Sequence, residues 1–243
     1  MLELLTDPHA WIAFATLTVM EIVLGIDNIV FISVIVSRLP AEESKRARRI
    51  GLMLALVFRV LLLLMLTWLI GLTKPLFELY GFAPSWRDVI LGAGGLFLLY
   101  KATTEIHGEI EGESHEEAAQ RSRGHSFGWI IGQIIVIDMV FSIDSIVTAI
   151  GMAEDVEVMI AAVIVAVAVM YVASGTIADF VHRHPTTKML ALSFLVLIGV
   201  SLVADGLGFH IPRGYIYFAM AFSAGVEFIN IGVRRRKRGR EGG

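Results

Sequence analysis

Glu21 and Asp27, and again Asp138 and Asp144, stand six residues apart inside runs that are otherwise apolar. Carboxylates in such surroundings are costly, about 2.5 to 3.5 kcal/mol each near a bilayer centre, and they mark paths for cations or protons. The two runs, EIVLGIDN at residues 21–28 and DMVFSIDS at residues 138–145, are copies of one another shifted by 117 positions. Glu21 matches Asp138, Asp27 matches Asp144 and Asn28 matches Ser145. Asn28 and Ser145 follow the leading acids by seven residues, return to nearly the same helix face and add neutral oxygen ligands. Gly25 and Ser142 lie between the acids, where a helix could loosen and offer carbonyl oxygens.

The elements that must hold these acids are membrane helices. Hydrophobic residues make up 56% of the 243, and the mean hydropathy is +0.74, well beyond what a water-soluble core of this size uses. Apolar runs fall at about 10–36, 50–72, 88–100, 128–151, 156–180, 188–206 and 214–233. Most approach the roughly 20 residues that cross roughly 30 Å of hydrocarbon, so about seven spans are expected. The third has a short uncharged stretch, 89–100, and requires Lys101 to snorkel toward the headgroups. Unpaired backbone is not tolerated in lipid and no barrel-strand alternation is present, so the expected fold class is an all-α polytopic bundle.

With seven spans, sixteen Lys or Arg fall on one side, in segments 37–49, 101–123, 181–188 and the tail, against Lys74, Arg87 and Arg213 on the other. The positive-inside rule puts the basic side in the cytoplasm and the N-terminus outside, in a multi-pass protein of the cell membrane. The first run is too long, and its leader too poor in cations, for a cleaved signal. With no cysteine, disulfides and thiolate metal sites are excluded, leaving oxygen or imidazole for any metal. One transmembrane domain is expected over 1–233, with a basic cytoplasmic tail at 234–243.

Three spans separate the start of the first motif helix from the start of the second, so the copies enter the membrane from opposite faces. That is an inverted 3+3 repeat, about 10–106 and 128–206, followed by one extra helix at about 214–233; such repeats are common among secondary transporters. An unbroken helix turns ~240° net and rises ~9 Å over six residues, so it cannot aim both of its acids at one ion. Two arrangements remain. Either the helices break near Gly25 and Ser142 and gather all four carboxylates, or a two-fold axis pairs Glu21 with Asp144 and Asp27 with Asp138 in two acidic layers. The second is preferred. Carboxylate, amide and hydroxyl oxygens suit hard cations such as manganese, magnesium or calcium.

Other polar residues have plainer readings. Arg59, inside the second span, is a counter-ion or a gating element rather than a ligand. Glu227 and Asn230 share a face of the last span and are accessory candidates near its cytoplasmic end. Asp179 and Asp205 read as solvated carboxylates at helix ends, and Lys101 with Glu105 as a surface ion pair. The segment 105–126, with His107, His115 and six Glu, reads as a solvated linker. The RRRKRGR tail reads as a membrane anchor that can touch anionic lipid, not a nucleic-acid patch. Trp68, Trp86 and Trp129 fit an interfacial belt.

The motif pair, together with GGLFLLYKATTEIH, HPTTKMLALSFLVLIG, IPRGYIYFAMAFS and VEFIN, resembles the TerC family of integral membrane proteins, in its short form without appended cytosolic regulatory domains. The resemblance covers nearly the whole chain. It implies seven helices with an internal repeat and, for several members, export of manganese(II). Carried over by position, Glu21, Asp27, Asn28, Asp138, Asp144 and Ser145 form the ion site; the residues' own placement adds Gly25, Ser142, Arg59, Glu227 and Asn230 as accessory positions. The expectation is thus a secondary transporter exporting a divalent cation, manganese(II) foremost, with proton coupling. Neither an enzyme nor a bound cofactor is expected, because no nucleophile, zinc or nucleotide motif accompanies the acids. The alternative is a membrane scaffold whose buried acids only fix helix packing.

Overall fold

The computed structural model describes residues 7–36, 39–77, 83–111, 127–150 and 155–241. Its elements are helices: α1 (Pro8–Val36), α2 (Ala41–Leu64), α3 (Leu66–Gly71), α4 (Trp86–Ile110), α5 (Phe127–Ile150), α6 (Val156–Arg183), α7 (Pro185–Gly206) and α8 (Arg213–Glu241). Six of them, α1 and α4 to α8, are long and apolar enough to cross a membrane. The span expected at 50–72 differs. It is shared between α2, which already starts in the charged segment at Ala41, and the short α3. The stretch of α2 beyond Arg49 is too short to qualify alone and carries Arg59. Backbone hydrogen bonds from Met65 to Leu61 (3.0 Å) and from Leu69 to Met65 (3.1 Å) run through the junction, so α3 extends α2. The third span, short in sequence, is a full helix of 25 residues, because its polar continuation through Lys101 is helical too.

Helix packing follows the repeat. α1 packs on α6 as α5 packs on α2, and α1 meets α7 as α5 meets α4. The pairs α4 with α7, α2 with α6 and α1 with α5 each map onto themselves under the same exchange. At the most extensive contact, α4 with α7, a Cβ on Gly95 would stand 2.7 Å from the Gly199 carbonyl oxygen, and one on Gly199 would stand 3.1 Å from that of Gly95. At Gly95 the α7 backbone leaves no room for a side chain, while at Gly199 the Leu99 side chain is as near, at 3.0 Å; this is the small-residue packing usual between membrane helices. α8 lies outside this scheme and packs chiefly on α7.

Two apolar clusters form the interior. One gathers Phe31, Ile35, Leu52, Leu98, Ile134, Val140 and Leu202; the other gathers Leu17, Leu63, Ile143, Ile146, Met159 and Met170. α5 contributes residues up to Val140 to the first and from Ile143 onward to the second, with Asp138 and Ser142 at the seam. Many large apolar side chains, among them Val172, Leu96, Phe218 and Ile229, face outward, as hydrocarbon allows and water does not. Trp68, Trp86 and Trp129 are exposed as well.

Candidate functional site

The seam holds a buried charge network drawn from three helices. Glu21 and Asn28 are two turns apart on α1, while Asp138 and Ser142 are one turn apart on α5, so each helix presents a pair on one face. Arg59 of α2, 2% exposed, lies between them. Its Nη1 pairs with Glu21 Oε2, and its Nη2 donates to Asp138 Oδ1 at 3.2 Å. Asn28 Nδ2 donates to that same Oδ1 at 3.0 Å, and Ser142 Oγ donates to Asp138 Oδ2 at 3.3 Å. Asn28 Oδ1 and Arg59 Nε remain buried without a hydrogen bond among the described residues. Two carboxylates thus share one guanidinium beside an amide oxygen that has no hydrogen bond among the described residues, an acid-rich shell suited to a further cation or a proton.

A second network surrounds Asp144, which is 2% exposed. Arg87 Nη2 donates to Asp144 Oδ1 at 2.7 Å, and Arg213 Nη2 pairs with Asp144 Oδ2. Local structure aims both arginines. Ser85 and Asp88 form a capping box at the start of α4, with Asp88 Oδ2 accepting the Ser85 backbone N–H at 2.8 Å, which fixes the first turn that carries Arg87. At the end of α7, Gly208 has φ 82°, a left-handed conformation that glycine adopts freely, and the Phe209 N–H bonds the Ala204 carbonyl at 2.8 Å. The chain therefore folds back across the helix end. Asp205, buried, lies 3.2 Å from His210 Nδ1 and 3.7 Å from Arg213 Nη2.

A cavity of about 20 Å³, room for one or two water molecules, joins the two networks. Arg59, Ser145, Ser201, Arg213 and Tyr217 line it together with apolar side chains. Ser145 turns its hydroxyl to the Ser142 carbonyl at 3.3 Å. Charged and hydroxyl side chains from α2, α5, α7 and α8 therefore face one small space whose walls are otherwise apolar.

Several sequence expectations need correction. α1 runs unbroken through Gly25 and α5 through Ser142, so no loosened turn offers carbonyls. A Cβ on Gly25 would run into the Met170 sulfur, which makes that glycine a close-packing position between α1 and α6. The preferred pairing of Glu21 with Asp144 is not found. Glu21 meets Asp138 through Arg59, and Asp144 meets Arg87 and Arg213, because Asp138 and Asp144 project from different sides of an unbroken α5. The side chain of Asp27 lies outside the described residues, as do those of the tail from 234 and the whole of 112–126 with His115. Among the described residues no three carboxylates or imidazoles gather as a metal-binding group.

Glu227 accepts a hydrogen bond from Thr186 at the far end of α8, and Asn230 is exposed, so neither joins the acids. Glu105, read as a surface residue, is buried, with Lys101 Nζ 3.7 Å away. Asp205 is likewise buried rather than solvated. Arg87 and Arg213 were read only as loop cations. The SWRD and PRG contexts signal helix starts, but nothing in them says that their arginines turn inward.

Comparison with known proteins gives this architecture relatives. A family model described as "Integral membrane protein TerC family" matches residues 6–241. A UPF0053 protein of Haemophilus influenzae is 51% identical over 235 residues, covering 97% of this chain and 99% of the relative. The UPF0053 inner membrane protein YgdQ of Escherichia coli is 50% identical over 233 residues, 96% of this chain and 97% of its own length. The longer UPF0053 inner membrane protein YoaE of Escherichia coli is 48% identical over 235 residues, which is 45% of YoaE. No solved structure matches the chain. With buried acids on paired helices and a family match along almost its full length, this multi-pass membrane protein belongs to the integral membrane protein TerC family.

Proposed function

We propose that the protein is a secondary transporter, not an enzyme, that carries a divalent metal cation, manganese(II) foremost, out of the cytoplasm in exchange for protons. The observation that carries this reading is the Glu21, Asn28, Asp138 and Arg59 network, two carboxylates on one guanidinium at mid-helix depth with an unbonded amide oxygen. A group built only to fix packing has no use for an orphaned acceptor or for two acids on one cation. The oxygens available are carboxylate, amide and hydroxyl, the donor class of hard dications. A dication entering that shell competes with the Arg59 guanidinium for the same oxygens, so binding and release become an exchange of partners. Asp27, Asp144 and Ser145 complete the path by position.

The protein resides in the cell membrane with its basic face in the cytoplasm and its N-terminus outside, as the distribution of Lys and Arg favours. The test compares manganese content in manganese-challenged cells carrying wild type, Asp138→Asn or Asp144→Asn at matched membrane abundance. Wild type lowers the accumulated metal and both amide variants fail to. If either variant lowers it as wild type does, that acid neither holds nor relays the ion; if all three leave manganese unchanged, the cargo assignment falls.

A further inference from the structure

Arg213 forms ion pairs with two buried acids, a close one with Asp144 and a looser one with Asp205. Its Nη2 pairs with Asp144 Oδ2 and stands 3.7 Å from Asp205 Oδ2. Asp205 is buried, its side chain 1% exposed, yet neither of its carboxylate oxygens receives a hydrogen bond among the described residues. His210, 3.2 Å from Asp205 Oδ1, is mostly exposed and adds its charge only when protonated. A buried carboxylate with so little compensation gains by accepting a guanidinium. Two nearby acceptors of one sign with one movable donor make a two-position element.

The helix that carries Arg213 is suited to move. Among the described residues α8 is the one long helix outside the repeat; it packs chiefly on α7 and has a mostly outward-facing surface. Between α8 and the helices α1, α6 and α7 lies a groove of about 520 Å³ lined by Val23, Val30, Phe180, Phe194, Met220 and other apolar side chains. Bilayer hydrocarbon can fill or leave such a groove, so tilting α8 exposes no apolar surface to water. The first turns of α8 supply Arg213, Ile216 and Tyr217 as one wall of the small cavity that also holds Arg59 and Ser145. Moving that turn opens the cavity.

We infer that Arg213 is a latch on the ion path: on Asp144 it closes the cavity at the membrane face where α7 and α8 join, and transfer to Asp205 opens it. This rests on the transport reading for its purpose, but access can be measured without any metal. The chain has no cysteine, so Ser201→Cys, lining the same cavity as Arg213, is a clean reporter.

Labelling of this parent by a membrane-impermeant maleimide is followed in right-side-out and in inverted vesicles. Adding Arg213→Gln raises the labelling rate at least tenfold in one vesicle orientation only. Adding Asp205→Asn instead, which removes the second acceptor, lowers it below the parent. An unchanged rate with Arg213→Gln overturns the latch, as does a rise in both orientations, which means general loosening. A rise or no change with Asp205→Asn also overturns it, and this variant decides alone if Arg213→Gln does not reach the membrane. One-sided opening together with unaltered cellular manganese in all variants keeps the latch and discards the cargo assignment.

Discussion

Asn28 on α1 donates its amide to Asp138 on α5 at 3.0 Å, so the neutral residue of one motif copy is bonded to the leading acid of the other. The two copies are thus wired to each other, in addition to the Ser142–Asp138 bond within the second. Replacing Asn28 with Leu removes both that donor and the unbonded Oδ1. Loss of a buried hydrogen bond to a charged group costs about 1 to 3 kcal/mol, so the variant melts lower in detergent and loses manganese efflux. Full efflux from a well-expressed Asn28→Leu protein would show that the amide oxygen touches no cargo.

Arg59 compensates Glu21 and Asp138 at once, and a single methionine in its place leaves two carboxylates buried without their cation. Breaking buried pairs in this way costs about 3 to 5 kcal/mol. If a dication takes the same oxygens, manganese(II) at a hundredfold excess over its Kd for Arg59→Met stabilises that variant by about 2.7 kcal/mol, and stabilises wild type by less. Thermal melts across a manganese titration, with magnesium alongside, check this. Equal shifts for the two proteins would separate the ion from the Arg59 shell.

Gly95 and Gly92 are both on α4, but their surroundings differ. A methyl on Gly95 meets backbone of α7 under 3 Å away, whereas one on Gly92 meets nothing within 4 Å. Gly95→Ala is therefore destabilised by about 1 to 3 kcal/mol from overpacking. Gly92→Ala is neutral or slightly more stable through helix propensity, by up to about 1 kcal/mol. Similar melting temperatures for the two variants would contradict the α4–α7 contact.

Gly25 faces Met170, whose side chain can be shortened. Gly25→Ala and Met170→Ala should each lose stability while the double variant recovers part of the loss, with a coupling of about 0.5 to 3 kcal/mol in a double-mutant cycle. Additive losses would indicate that Gly25 serves the backbone rather than the packing.

The sequence carried the helices, their duplication and the cost of their acids, because hydropathy and repetition are local properties. An unbroken helix was enough to separate Asp138 from Asp144, since six residues turn them to different sides. Which partner each acid takes was not legible. Arg59, Arg87 and Arg213 lie far from the acids in sequence and reach them only through the crossings of α2, the start of α4 and the return after Gly208. Asp205 misled for a related reason: a carboxylate at the end of a span looks solvated until the following segment folds back over it. The break between α2 and α3 at Met65 has no proline or glycine to announce it.

The bare-backbone contact of Gly95 with Gly199 also bears on how such a molecule can rock. Leu99 and Val203 flank the contact on either side, so α4 and α7 can tilt about it only while those two side chains shift with them. A fulcrum there would let one half of the molecule tilt against the other through several degrees. The distance between Gly95 and Gly199 would stay constant while distances at the helix ends change most.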